Sequence, residues 1–201
     1  MADLELGVLA EDRNDCEVIR VLCRRILEER GIGPGTWRLH PRAGKGCSKL
    51  RRKAESWLVE LADRGCHAAI ILHDLDRNPL NGELNDAGAL ERQLSAISVP
   101  RTLTRLICIP VEEIEAWFFS SEKVLSSACG KPQKPRPSPH QIRRPKEKLI
   151  ALSRDANKRP RYSENDNPKL AEDLDLVECA RRCIAFDGLK RFVLGLPQLR
   201  S

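Results

Sequence analysis

The sequence lacks the long apolar segment that a membrane-spanning helix requires. Such a helix needs roughly 20 consecutive apolar residues, and no hydrophobic run in the 201 residues approaches that length. The first seven residues carry acidic side chains at Asp3 and Glu5, where a signal peptide would carry positive charge ahead of an apolar stretch. We therefore expect a soluble, cytoplasmic protein with no membrane partner.

The eight cysteines include no C-x-x-C pair. The closest two, Cys179 and Cys183, would lie one helical turn apart, and no histidine is near them in the sequence. Structural zinc requires four ligands at short spacings, so the pattern argues against a zinc site. We expect free thiols, buried as small hydrophobic groups, in a reducing compartment.

Charge is unevenly distributed along the chain, whose net charge is +6. The stretch from Lys123 to Arg161, here called the basic segment, holds twelve Lys and Arg residues but only two acidic residues. Surplus positive charge of this density favours a polyanionic partner such as DNA or RNA, although a solvated linker can have the same composition. Tyr162 is the only aromatic residue nearby, which gives little support for base stacking.

Apolar patterns through residue 110 predict strands and helices in alternation. The run Ala68–Leu72 is typical of a strand that is covered on both faces of a parallel sheet. We predict strands at 4–10, 36–40, 68–72 and 104–109, and helices at 16–30, 48–63, 86–97, 112–119, 121–128, 145–153, 170–185 and 188–194. This order indicates an α/β fold with a mostly parallel sheet flanked by helices.

Five prolines between residues 130 and 145 interrupt the pattern. A stretch so rich in proline is expected to be extended and poor in regular structure. We predict an α/β core at 1–128, a basic Pro-rich linker at 129–145, and a helical C-terminal extension at 146–201 that packs on the core.

Acidic residues follow two of the predicted strands. Glu11 ends the first strand, Asp15 lies four residues later, and Asp74 and Asp76 follow the most apolar strand. Side chains alternate along a strand, so Asp74 and Asp76 should point to one side and His73 to the other, in a core or supporting role. Ligands of parallel sheets bind beyond the carboxyl ends of the strands. These carboxylates are therefore candidate ligands of Mg²⁺ or Mn²⁺.

Each acidic motif also has a structural interpretation. Asp-Leu-Asp ahead of Arg-Asn-Pro can form a turn, because Asp and Asn favour turns. Glu11 and Asp15 flank a helix start, where acidic residues commonly cap the helix and compensate its dipole. Their shared placement at strand ends is what favours a metal site.

The same residues resemble the Toprim signature, in which a glutamate ends the first strand and Asp-x-Asp follows a later apolar strand. Toprim domains occur in topoisomerases, primases and OLD-type nucleases, and the chain is most similar to small stand-alone Toprim-like proteins. The similarity includes residues 109–118, 145–149 and 171–192 and so covers nearly the whole chain. Its most specific part is the Glu-Ile-Glu-Ala-Trp stretch at residues 113–117.

The resemblance implies a Toprim-like, Rossmann-like fold and a Mg²⁺-dependent nuclease. It also implies a context of phage defence or mobile elements, often with an AAA- or ABC-type ATPase partner. The catalytic residues would be Glu11, Asp74 and Asp76, and the metal ligands those three together with Asp15 and Glu115. The first motif departs from the usual pattern, because Asp12 stands where a glycine is usual and Asp15 where a glutamate is usual. Loss of that glycine leaves less room for a phosphate.

Phosphate contacts are expected from cations near the acidic residues. Lys45 lies between two glycines but is not a Walker A lysine, since G-x-x-x-x-G-K-[ST] is absent. The other candidates lie in the basic segment and are Arg143, Arg144, Lys146 and Lys148.

Three functions remain open at this stage. The first is a nuclease, and the second is a non-catalytic subunit that binds nucleic acid or an ATPase. The third is a phosphatase of the haloacid dehalogenase type, which fits least because that family carries its D-x-D on the first strand.

Overall fold

Four parallel strands form one sheet in the computed structural model, which describes residues 4–196. The strands are β1 (Leu4–Ala10), β2 (Trp37–Ala43), β3 (Ala68–Leu72) and β4 (Thr104–Cys108). Their order is β2-β1-β3-β4, and each neighbouring pair is parallel. Helices flank this sheet. The predicted α/β class is confirmed, and the topology is consistent with a Rossmann-like fold.

Helices account for most of the remaining regular structure in residues 4–196. They are α1 (Arg13–Glu28), α2 (Cys47–Asp63), α3 (Ala87–Ser95), α4 (Glu115–Phe118), α5 (Glu122–Cys129), α6 (Pro145–Leu152), α7 (Asn167–Glu172), α8 (Leu176–Arg182) and α9 (Ile184–Gly195). Short 3₁₀ turns lie at Pro139–Gln141 and Glu164–Asp166. None of the helices in this range is long and apolar enough to cross a membrane.

Both faces of the two central strands are buried, which explains their continuous apolar sequences. One face, with Leu6 and Ile70, packs against α1 and the helices after β4. The other face, with Leu9 and Ile71, packs against α2 and α3. Helices α7 and α9 contact α1, and α9 also contacts β4.

The C-terminal helices therefore share one hydrophobic core with the sheet. The boundaries proposed at residues 128 and 145 stay a prediction. The outermost parts of the two predicted end segments, 1–3 and 197–201, lie outside the described residues.

Two predicted helices differ most from the structure. The helix predicted at 170–185 is divided, because Asp175 accepts hydrogen bonds from the backbone of Val177 and Glu178 and begins a new helix. The helix predicted at 112–119 is shorter and begins at Glu115. Its expected first residue, Glu112, has a left-handed backbone (φ 61°), and its N–H donates to the carbonyl of Leu75 at 3.2 Å.

Strand β2 extends further than predicted, through Pro41 to Ala43. Proline cannot donate to a ladder, so within sheets it is confined largely to edge strands. Strand β2 is an edge strand that pairs with β1 on one side. The proline therefore continues the strand rather than ending it, and this brings the following loop to the end of β1.

Gly7 permits the close approach of α2 to β1. A Cβ atom at Gly7 would lie 2.5 Å from a methyl carbon of Leu61. We expect Gly7→Ala to lower the free energy of unfolding by about 1–3 kcal/mol, because overpacking forces the neighbouring side chain to move. Chemical denaturation measures this change. The matched control is Gly188→Ala in α9, where an added Cβ atom would meet no atom within 4 Å. Equal destabilisation by both substitutions would contradict the steric explanation.

Candidate functional site

The topology creates a crevice at the carboxyl ends of β1 and β3. From β1 the chain continues to β2 on one side, while β3 lies on the other side. Ligands of open parallel sheets bind at such a switch point. The register pairs Leu9 with Ile71, and two further residues bring Glu11 opposite His73. Parallel pairing thus joins two sequence motifs that lie far apart in the chain.

The loop between β2 and α2 folds over the end of β1. The backbone N–H groups of Lys45 and Gly46 donate to the carbonyl of Glu11 at 2.7 and 3.1 Å. Gly44 is buried, and a Cβ there would lie 3.1 Å from both the Gly46 carbonyl oxygen and the Leu50 nitrogen. The side chain of Lys45, a predicted phosphate contact, is exposed. The loop positions Glu11 and places the first residue of α2 beside it.

That first residue, Cys47, contacts two predicted catalytic carboxylates. Its thiol donates to the carboxylate of Glu11, and its sulfur lies 3.4 Å from Oδ2 of Asp76. One potential ligand atom from each of Glu11, Cys47 and His73 lies within 4.8 Å of the others. The sequence interpretation did not include Cys47, and it assigned His73 a core or supporting role. Neither residue has neighbours at a recognisable metal-ligand spacing.

A second group of carboxylates gathers Asp15, Asp74, Glu113 and Glu115. Burial raises the pKa of Asp74 well above its usual value, and the negative charges of Asp15, Glu11 and Glu115 raise it further. Burial also raises the pKa of Asp15 to about 8, with contributions from Asp12, Glu115 and Glu11. These carboxylates are therefore close enough to repel one another. Three of the five predicted metal ligands, Asp15, Asp74 and Glu115, belong to this group, and the charge of a fourth, Glu11, acts on it.

Glu113 completes this group from the loop before α4. Burial raises its pKa to about 7, as does the charge of Glu115, while Lys146 acts in the opposite direction. Sequence reasoning favoured Glu115 within this motif. The structure adds Glu113 to it.

Glu115 is held by residues of the predicted C-terminal extension. It is only 4% exposed. Asn167 Nδ2 donates to Glu115 Oε1 at 2.9 Å, and the Tyr162 hydroxyl lies 3.3 Å from the same oxygen. The Tyr162 hydroxyl also donates to Asn167 Oδ1 at 2.7 Å. Part of the site's support therefore comes from residues about 50 positions further along the chain, which sequence reasoning did not identify.

The basic segment is anchored beside the acidic residues. The backbone N–H of Arg144 donates to Glu112 Oε2 at 2.6 Å, and that of Lys146 donates to Glu113 Oε2 at 3.1 Å. Glu112, itself 6% exposed, also pairs with Arg77. The Lys146 ammonium lies 3.4 Å from the carboxylate of Glu164.

Exposed cations of the same segment lie next to these anchored residues. The side chains of Arg143, Arg144 and Lys148 are exposed. Within residues 4–196 none of the three forms an ion pair. The four predicted phosphate contacts of the basic segment thus lie at or next to the residues whose backbone binds Glu112 and Glu113. Of the four, Lys146 already forms ion pairs with Glu113 and Glu164.

A cavity of about 460 Å³ opens beside the strand ends. Its lining includes His73, Asp74 and Asp76 from the segment after β3, together with Arg51 of α2 and residues of α3. Asp74 and Asp76 line the same cavity, as does His73, which the alternation of side chains had placed on the other side. A phosphate group entering this cavity would meet Arg51 and the carboxylates together.

Fold and site together define an α/β protein with a cluster of carboxylates at the switch point of a parallel sheet. By sequence, the chain belongs to the family described as Domain of unknown function (DUF4276), whose family model matches residues 10–193. A search of the curated proteins found no match, and a search of the solved structures also found none.

The raised pKa of Asp15 predicts a pH-dependent stability. Its pKa is 3.8 when unperturbed and about 8 in the folded protein, so the folded state binds more protons between these values and loses stability as pH rises through them. We expect Asp15→Asn to raise the Tm of the metal-free protein more at pH 8 than at pH 5. Differential scanning calorimetry measures both.

The control for this measurement is Asp63→Asn, which changes an exposed carboxylate at the last residue of α2. Its effect on Tm should be the same at the two pH values. If Asp15→Asn changed the Tm by the same amount at both pH values, burial and neighbouring negative charge could not be raising the pKa of Asp15.

Proposed function

We propose that this protein is a divalent-metal-dependent, Toprim-like phosphodiesterase that cleaves nucleic acid. The observation that carries the proposal is the convergence of Glu11, Asp15, Asp74 and Glu115 at one end of the sheet, with the repulsion that raises the pKa values of Asp15 and Asp74. Four carboxylates from three separate segments are costly to bring together without a cation. The Toprim resemblance points to the same chemistry.

The donor set fits Mg²⁺ or Mn²⁺. Asp15, Asp74 and Glu115 offer oxygen ligands, which hard divalent cations prefer. Within residues 4–196, neither Asp15 nor Asp74 forms an ion pair, so no cationic side chain there neutralises their charge. A divalent ion bound there would neutralise charge on the phosphodiester and lower the pKa of a water molecule.

The remaining roles fall to residues around the cavity. The carboxylate of Glu11 accepts a hydrogen bond from the Cys47 thiol. In the proposed reaction this carboxylate takes the proton of the attacking water. Arg51 lines the cavity with Asp74 and Asp76, where it would bind a phosphate oxygen. Asn167 and Tyr162 hold the carboxylate of Glu115 in place.

Binding of nucleic acid is assigned to the basic segment. Ten of its twelve cations form no ion pair within the described residues; only Lys123 and Lys146 do. Unpaired cations on an exposed surface are available to phosphates, and the release of counterions drives such binding. A role in defence beside an AAA- or ABC-type ATPase rests on the Toprim resemblance alone and remains a prediction.

Cleavage tests the proposed activity directly. Purified protein should cleave labelled DNA or RNA with Mg²⁺ or Mn²⁺, and Asp74→Asn should reduce the rate by at least about 100-fold because it removes a metal ligand. Gel analysis of the products measures the rate, with Asp63→Asn as the control of unchanged activity. Undiminished cleavage by Asp74→Asn would contradict the proposed site. Tight binding without cleavage by the wild-type protein would instead favour a non-catalytic nucleic-acid-binding subunit.

The basic segment should determine the salt dependence of binding. We expect the double variant Arg143→Gln/Lys148→Gln to reduce the slope of log Kobs against log salt by about 2 for double-stranded DNA, because each lost phosphate contact changes that slope by roughly 0.9. Fluorescence anisotropy at several salt concentrations gives the slope.

The control for this titration is the double variant Arg30→Gln/Arg101→Gln. Both arginines are exposed and lie at the opposite end of the sheet, where Arg30 follows α1 and Arg101 precedes β4. An equal reduction of the slope by both double variants would show that binding is spread over the whole surface, against the assignment to the basic segment.

A further inference from the structure

The geometry points to a transition-metal site of the zinc type, formed by Glu11, Cys47 and His73. One potential ligand atom from each residue lies within 4.8 Å of the other two. This site shares Glu11 with the proposed nuclease, but its sulfur and nitrogen ligands are distinct from the oxygen-ligand group of Asp15, Asp74 and Glu115. Metal binding there does not depend on the proposed nuclease activity. The sequence argued against zinc because the cysteines form no C-x-x-C pair, whereas the three ligands of this site come from different segments of the chain.

His73 supplies the independent evidence. It is 2% exposed, and its Nδ1 lies 2.8 Å from the backbone carbonyl oxygen of Asp74. A carbonyl accepts hydrogen bonds, so this contact places the proton on Nδ1 and leaves Nε2 with a free lone pair. Nε2 is buried and has no hydrogen-bond partner. A buried polar atom without a partner is costly, and a metal ion bound by Nε2 would satisfy it.

The contact at Nδ1 has the form seen in metal-binding histidines. Such residues usually donate their other ring N–H to a carboxylate or a backbone carbonyl, which fixes the ring orientation and increases the basicity of the ligand nitrogen. His73 follows β3 directly, and the carbonyl that fixes it belongs to the next residue. The imidazole is therefore oriented by the backbone of the strand end.

The other two ligands are positioned by the loop over β1. Cys47 is the first residue of α2, and its thiol already contacts Glu11. The carbonyl of Glu11 is held by the N–H groups of Lys45 and Gly46. Metal ligands need such support to be held in a productive geometry. All three ligands therefore lie directly after a strand of the sheet or on α2, the helix that connects β2 to β3.

The donor types select the metal. A thiolate, an imidazole and a carboxylate are the ligands of Zn²⁺, whereas Mg²⁺ prefers oxygen and an octahedral shell. Three protein ligands leave the fourth tetrahedral position free, which is typical of catalytic rather than structural zinc. Asp76 lies beside the three ligands, with Oδ2 3.4 Å from the sulfur of Cys47.

Co²⁺ substitution tests the site without any activity assay, because a bound thiolate gives a thiolate-to-cobalt charge-transfer band. We expect the wild-type protein to show this band at one equivalent of Co²⁺ and to lose it on addition of Zn²⁺. Cys47→Ala should abolish the band, and the matched Cys66→Ala, in a buried thiol outside the cluster, should retain it. Absence of the band in wild type, or its persistence in Cys47→Ala, would overturn the proposal.

Two further variants complete the test, and of these Asp74→Asn separates this site from the proposed nuclease. Glu11→Gln should weaken Zn²⁺ binding by more than roughly 10-fold, because even the loss of a residue that only hydrogen-bonds to a metal ligand costs about 10–100-fold in affinity. Competition with a chromogenic chelator measures the affinity for Zn²⁺. Undiminished affinity would count against the proposal. Asp74→Asn keeps the backbone carbonyl that orients His73 and should retain the Co²⁺ band while losing nuclease activity. Loss of the band in this variant would mean that the two metal sites are not separate.

Discussion

The parallel pairing of β1 with β3 is the constraint on which the site depends. Their register brings Glu11 opposite His73, and every further contact of the site is built around these two strand ends. Parallel strands present their carboxyl ends at one edge of the sheet, so acidic residues that follow the two strands cannot avoid one another. The apolar residues of β1 and β3 are buried on both faces, and this burial fixes the register that creates the crevice.

Concentrated negative charge is the electrostatic consequence of this topology. Burial and repulsion raise the pKa values of Asp15 and Asp74. Without a bound cation, the folded protein therefore favours the protonated form of these two carboxyl groups. The rest of the fold supports the arrangement: Asn167 and Tyr162 bind Glu115, and the backbone before α6 binds Glu112 and Glu113. The C-terminal helices thus contribute to the core and to the site at once.

Alternation along the strands divides the site into two chemical groups. Leu9 and Ile71 face α2, and two residues further on Glu11 and His73 follow the same side, where Cys47 meets them. The intervening side is covered by α1, which carries Asp15, the strongest carboxylate neighbour of Asp74. Asp15, Asp74 and Glu115 therefore collect on one side and the ring of His73 and the sulfur of Cys47 on the other, with Glu11 between them and Asp76 beside the sulfur. Two adjacent metal sites of different preference are the chemistry that this division favours.

The sequence by itself determined the parallel α/β class, the strands β1 and β3, and the placement of Glu11, Asp74 and Asp76 at strand ends, because apolar periodicity and strand alternation are local properties. Only the tertiary structure brought in Cys47, Glu113, Tyr162 and Asn167, and revealed the unsatisfied nitrogen of His73. It also divided the helix predicted at 170–185, where Asp175 competes for the backbone. These features depend on strand order, loop closure and long-range packing, which residue spacing along the chain does not encode.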